Sequence, residues 1–286
     1  MAVQRVAVKP DFLVLGAPKA GTTWCQEFFA SNPEFFVPRA KDTFFFDRHF
    51  HRGESWYEAH FADATAEQTV GEVCHDYMYS DDALERIVNM LGSTVRPILV
   101  LREPVSRSIS HLRYSHQLGN VSSLGVDALE QNPNIVELSR YEQFLPSVID
   151  RFDDRVSVLF FEDLRSDPLK FSTVLATAAG RTLPDVAVLP DRANAAGTAR
   201  SASLVRLAKR SANVLDAVGA RSLLGAVKSS PVRRVLFDTS SAQGAQSDVA
   251  PALERELGRS RVATMELLSN SGIVQLDDFP KEWHRC

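Results

Sequence analysis

The sequence predicts an α/β protein in which a parallel β-sheet is flanked by helices on both faces. Three observations carry that expectation. Residues 11–24 run from a short apolar stretch, through a loop with two glycines, into a segment of helical character. Two more apolar, β-branched runs, at residues 97–101 and 156–161, have the unbroken hydrophobicity of strands covered on both faces. Each is followed by a proline placed to open a helix, Pro104 and Pro168.

The first of these segments is the most informative. Residues 12–15 read as a buried parallel strand, Gly16 and Gly21 bracket a loop containing Pro18, Lys19 and Ala20, and a helix begins at Thr22, Thr23 and Trp24. Glycines let backbone N–H groups turn onto an anion, and a helix N-terminus adds partial positive charge. The spacing Gly16-x-x-x-x-Gly21 is P-loop-like, matching the first half of the nucleotide-triphosphate loop, but Thr22 stands where that motif needs its Lys. The lysine, Lys19, lies inside the loop, beside where one phosphate and its bridging oxygen would sit. The order G-x-P-K-[AS]-G-T-[ST]-W resembles the 5′-phosphosulfate loop of sulfotransferases that use 3′-phosphoadenosine 5′-phosphosulfate (PAPS). The resemblance implies a PAPS site formed by residues 18–24 that leaves 3′,5′-diphosphoadenosine as product, with Lys19 neutralising charge on the leaving phosphate and no metal required.

After a break at residues 32–38 comes Arg39-Ala-Lys-Asp-Thr-Phe-Phe-Phe-Asp47, whose three consecutive Phe must pack inward. It resembles the K-E-x-H-F-F-D segment of heparan sulfate-type sulfotransferases and their bacterial relatives. The resemblance implies that Asp42, in the place of that motif's Glu, is the catalytic base. Phe44 replaces the motif's His. An apolar setting among the Phe residues is expected to raise the Asp42 pKa. Residues 49–60, with His49, His51 and His60, fit no common zinc spacing and read as a surface loop and a helix start at Trp56 and Tyr57. Residues 69–79 read as a strand and its loop, resembling E-K-[TS]-P-x-Y, a segment that helps line the family's acceptor site. Glu72 and Tyr77 match, Val73 replaces the Lys, and His75 replaces the Pro. His75 is the alternative candidate for the base.

A helix over residues 82–91 leads to the strand at 97–101, and a cationic Arg102 at its end is followed by a helix bearing Ser106, Arg107 and Ser110. An arginine at a strand end and a hydroxyl on the next helix make a second anion site. R-x-P-x-x-R-x-x-S resembles the family's 3′-phosphate motif, which implies that Arg102 and Ser110 grip that phosphate. Residues 140–152 read as a helix, 155–161 as a strand, and the stretch from 162 to about 180 as a turn and a helix, with Asp163 and Asp167 capping.

Beyond residue 194, Arg200 is a candidate for closing over the 3′-phosphate, and residues 200–235 are basic and interleaved with Leu and Val, a pattern open to an anionic membrane, an acidic acceptor or an ordinary half-buried helix. Residues 239–247 read as a polar linker and 253–269 as a helix. The expected organisation is one domain over residues 1–286, with a nucleotide-binding core at about 11–180 and a helical region at about 200–286. The chain is 44% hydrophobic and 24% charged, as globular proteins are, and its net charge of −4 argues against nucleic acid as a partner. No apolar run approaches the ~20 residues of a membrane span, and the N-terminus lacks a signal-peptide core. Three scattered cysteines, Cys25, Cys74 and Cys286, fit a reducing cytoplasm and no metal-ligand spacing. Sulfuryl transfer to the hydroxyl of a sugar, glycolipid or natural product is the expected activity. A kinase with an unusual loop and a non-catalytic nucleotide-binding module are the alternatives.

Overall fold

The computed structural model describes residues 8–182, 188–190, 198–199, 237–238 and 248–284. Arg200, the basic stretch 200–235, the linker 239–247 and Cys286 lie outside the described residues. The strands are β1 (Phe12–Gly16), β2 (Phe35–Phe36), β3 (Thr69–Val73), β4 (Arg96–Leu101), β5 (Ser157–Phe160), β6 (Thr198–Ala199) and β7 (Phe237–Asp238). The helices are α1 (Thr22–Ser31), α2 (Glu54–Glu58), α3 (Asp81–Leu91), α4 (Pro104–Gln117), α5 (Asp127–Gln131), α6 (Asn134–Glu137), α7 (Leu145–Phe152), α8 (Phe161–Ser166), α9 (Pro168–Ala178) and α10 (Val249–Asn270).

The described residues fall into two compact units. One draws on Met1–Glu103, Tyr141–Asp191 and Ala263–Cys286, the other on Pro104–Arg140 and Arg192–Val262. In the first, five parallel strands lie in the order β2-β3-β1-β4-β5. Every residue of β1 is buried, so both faces of the sheet are covered at its centre, as its unbroken apolar run requires. Phe12 packs on Phe29 of α1, with ring centroids 4.5 Å apart, which fixes α1 over the strand that feeds it. β1 lies between β3 and β4, with Val14 opposite Val73 and Ile98, so the three chain segments that leave these strands emerge at one sheet edge.

Local signals explain most boundaries. The Ser80 side chain caps α3 by accepting the Ala83 N–H, and Asp167 caps α9 by accepting the Lys170 N–H at 3.0 Å, with Pro168 following in the first turn. Three details differ from expectation. Residues 35–36 in the expected break form an edge strand pairing with Thr69 and Val70. The helix expected from residue 140 begins at Leu145, because residues 141–143 form a separate tight turn that buries Tyr141. Phe161 opens α8 rather than closing β5.

The second unit has its own small core, in which Val105 and Leu112 of α4 pack with Ala128, Ile135, Leu253 and Leu257. Arg107 is fully buried there: its guanidinium donates to the Ile135 carbonyl at 2.6 Å and to the Ser139 hydroxyl, while Ser108 and Ser139 hydroxyls meet at 2.7 Å. β6 and β7 form an antiparallel pair in this unit.

Candidate active site

The loop after β1 is built to expose amides. Ala17 N–H donates to the Val100 carbonyl at 2.8 Å, tying the loop's first residue to β4. A Cβ at Gly16 would come within 2.4 Å of the Met78 sulfur and 3.4 Å of the His75 carbonyl oxygen, so this loop and the segment after β3 pass at closest packing. Gly21, which precedes α1, has φ +91°, and a Cβ there would meet Phe161 and Leu164 at 3.0 Å. Among the described residues no side chain caps the N-terminus of α1. The Cys25 N–H is the first to bond back along the helix, to the Gly21 carbonyl at 3.2 Å, so the N–H groups of Thr22, Thr23 and Trp24 belong to the turn that helix geometry leaves for an anion. Lys19, half-buried at the crown, has φ 71°. The Trp24 ring stacks on Phe28 and meets Phe171 edge-on, so what Trp24 offers a ligand is its backbone.

Arg102, at the end of β4, reaches this loop. Its Nη1 donates to the Lys19 carbonyl at 3.2 Å, its guanidinium lies 4.4 Å above the Phe161 ring, and its Nε is buried with no hydrogen-bond partner among the described residues. Burial pulls its pKa down against the opposing charge of Glu162. An unpartnered buried guanidinium nitrogen beside an amide-rich loop fits an anionic group. The backbone of Arg102 is held from below: Tyr141 donates to its carbonyl at 3.0 Å, and the next residue's N–H donates to Glu162 at 3.1 Å. The other Glu162 oxygen accepts the Trp283 indole N–H at 3.3 Å. Ser110 is half-buried on α4, in the other unit.

The segment after β3 carries the second constellation. Asp42 Oδ1 accepts from His75 Nδ1 at 2.6 Å and from the His75 backbone N–H at 3.2 Å, while Lys41 Nζ lies 2.9 Å from both Asp42 oxygens and 3.3 Å from His75 Nδ1. His75 Nε2 lies 3.4 Å from Asp76 Oδ1, and Asp76 pairs with Arg48. The expected direction of the Asp42 shift is reversed. Burial alone would raise its pKa, but the His75 hydrogen bond and the Lys41 charge outweigh burial and bring it to about 2. Of the Phe residues that were to supply the apolar setting, Phe45 and Phe46 pack instead on Tyr57 at 4.5 and 5.1 Å.

Glu72 and Tyr77, expected beside the acceptor, are instead buried, at 1% and 0% exposure. Glu72 Oε1 accepts from Thr43 Oγ1 at 2.6 Å, Tyr77 at 3.0 Å and the Thr43 N–H at 3.2 Å, while Oε2 accepts from Tyr57 at 2.7 Å. Burial pushes the Glu72 pKa up against these donors. One relation was invisible in sequence. Two of the departures from the resembled motifs, Phe in place of His at 44 and His in place of Pro at 75, meet edge to face with ring centroids 5.7 Å apart.

Fold and site together define a parallel α/β protein with a glycine-bracketed, amide-rich loop and a carboxylate–imidazole pair at one sheet edge. The chain belongs to the sulfotransferase domain family, which it matches over residues 9–183. It is 30% identical over 111 residues to the membrane-associated sulfotransferase kil1 of Dictyostelium discoideum, covering 38% of this chain and 23% of that one. It is 33% identical over 101 residues to heparan sulfate glucosamine 3-O-sulfotransferase 3B1 of Mus musculus, covering 35% of this chain and 25% of that protein. The match therefore spans about a quarter of the length of these relatives. Among solved structures, a sulfotransferase from Alicyclobacillus acidocaldarius superposes with a TM-score of 0.62 at 17% identity, over 97% of this chain and 100% of that one, a likeness of fold. Among the described residues no helix is long and apolar enough to cross a membrane.

Proposed function

We propose that this chain moves a sulfuryl group from PAPS to a hydroxyl of a carbohydrate or other small-molecule acceptor. The observation that carries the reading is the pairing, at one sheet edge, of an amide-rich loop reached by Arg102 with the Asp42–His75 hydrogen bond of 2.6 Å. Bound PAPS would supply an activated sulfuryl group for in-line transfer. The amides of residues 19–23, with the Thr22 and Thr23 hydroxyls, would hold its 5′-phosphate, and Lys19 would neutralise charge arriving on the leaving oxygen. Arg102 and Ser110 would take the 3′-phosphate, an assignment that rests on the motif they match.

Asp42 and His75 act as one unit in taking the acceptor's proton. Both Asp42 oxygens already accept hydrogen bonds, and a carboxylate whose pKa is held down to about 2 is by itself a weak base. His75 donates Nδ1–H to Asp42, so a proton leaving the acceptor hydroxyl goes to Nε2. The imidazolium then lies between Asp42 and Asp76, and the freed electron pair of the hydroxyl oxygen makes the new bond to sulfur. A reducing compartment is proposed from the free, buried Cys25 and Cys74, whose thiols burial pushes upward, Cys25 to about 12.

The test is binding followed by turnover. Calorimetry should give tighter binding of 3′,5′-diphosphoadenosine than of ATP, ADP or AMP, and turnover with labelled PAPS across an acceptor panel should survive EDTA. Lys19→Ala should lower kcat far more than it weakens nucleotide binding, and Arg102→Ala should mainly raise the KM for PAPS. Equal affinity for AMP, or strict Mg²⁺ dependence, would move the protein to another class of phosphate-binding enzyme.

A further inference from the structure

We infer that Glu72 is a positioning residue: it clamps the turn at residues 42–45 and so sets Asp42 against His75. The inference rests on the Asp42–His75 reading above, and it assigns the buried carboxylate a task in the reaction although it cannot touch substrate. Three facts meet on this turn. Asp42 and Phe44 have φ of 61° and 51°, conformations that a non-glycine residue keeps only where its surroundings over-determine them. Nearly every anchor of the turn comes from residues 72–77. Glu72 takes both the N–H and the hydroxyl of Thr43, the Val73 carbonyl takes the Asp42 N–H at 3.1 Å, and the Tyr77 hydroxyl takes the Phe45 N–H at 3.0 Å while donating to Glu72. The same short stretch then presents His75 to the carboxylate it has just fixed.

The donors to Glu72 are three hydroxyls and one amide, neutral groups that define a geometry more than they balance a charge. What the turn needs from Glu72 is therefore acceptor oxygens in place. Glutamine retains the Oε1 acceptor and its three bonds, whereas leucine strands Thr43, Tyr57 and Tyr77.

The experiment needs no acceptor. Protein carrying ¹⁵N-labelled histidine is examined by NMR for the His75 Nδ1–H resonance, assigned by its absence in His75→Asn, and 3′,5′-diphosphoadenosine binding is measured on the same samples. Wild type should show a downfield, exchange-protected signal, and Glu72→Gln should keep it. Glu72→Leu should lose it while binding the nucleotide within about threefold of wild type, a change under 1 kcal/mol. Should Glu72→Leu fail to fold, Thr43→Val, which removes only one donor, should weaken the signal, and Thr43→Ser should restore it. A signal unchanged in both Glu72→Leu and Thr43→Val, or in Thr43→Val where the leucine variant does not fold, overturns the inference even if the nucleotide binds normally. A wild type that fails to bind 3′,5′-diphosphoadenosine overturns the donor reading instead, whatever the histidine signal does.

Discussion

Asp42 and Glu72 are carboxylates serving the same turn, and their surroundings drive them in opposite directions. Asp42 is partly buried beside Lys41 and His75, and cationic partners bring its pKa to about 2 in spite of burial. Glu72 lies beneath it among Thr43, Tyr57 and Tyr77, and burial wins over neutral donors to push its pKa up. Partner charge, more than depth, decides which carboxylate keeps its charge down to low pH and which is pushed toward its protonated form. On the proposed reading, the negative charge is what matters at 42 and the acceptor atoms are what matter at 72.

The same acid-to-amide change should therefore have unequal effects. Asp42→Asn should lose about 10²–10⁴-fold in kcat, the scale of general-base removal, with 3′,5′-diphosphoadenosine affinity nearly unchanged. A loss confined to KM would break the contrast. His75→Ala should fall by a similar factor if the two groups work as a unit. Adding Phe44→His to it should recover part of the loss, since the two rings are neighbours and His tolerates the positive φ at 44 better than Phe. No recovery would mean that the placement of the ring at 75 is irreplaceable.

Acid unfolding sharpens the comparison next. The Asp42 pKa falls from 3.8 to about 2 on folding, so its contribution is fully present above pH 3.8 and is lost as pH drops toward 2. That contribution is about 2 kcal/mol at neutral pH, and Asp42→Asn should unfold with a correspondingly shallower acid limb. Glu72 works with the opposite sign: its folded pKa is raised, so its ionisation costs stability as pH climbs through that value. Glu72→Gln should match or exceed wild-type Tm at pH 8 and stay within about threefold in kcat, a difference of under 1 kcal/mol in transition-state energy. A large kcat loss with an intact fold would show that charge at 72 matters after all.

Much of the fold was legible because it rests on local signals. Apolar runs marked three strands of the sheet, prolines and Asp167 marked helix starts, and Gly16 with Gly21 marked the loop between β1 and α1. The edge strand at 35–36 was not, since two Phe residues carry no periodicity and owe their pairing to β3. The site was legible only by segment. Lys19, Asp42, His75 and Arg102 could each be singled out, but the direction of the Asp42 shift depends on His75, 33 positions away. Likewise, nothing in the spacing of Glu72 and Tyr77 tells that they face inward, because a strand's alternation is lost where both faces are covered.

The Trp283 indole has a bearing on how the chain matures. It joins Glu162 from 121 positions along the sequence, and through Glu162 it steadies the backbone beside Arg102. Contacts that close so long a loop form late, after the strands that carry the cradle have begun to pair. During refolding, recovery of 3′,5′-diphosphoadenosine binding should therefore lag behind recovery of secondary structure; coincident phases would place the contact early. On the proposed reading, donor affinity would then be the last property this protein acquires and the first that a destabilised chain gives up.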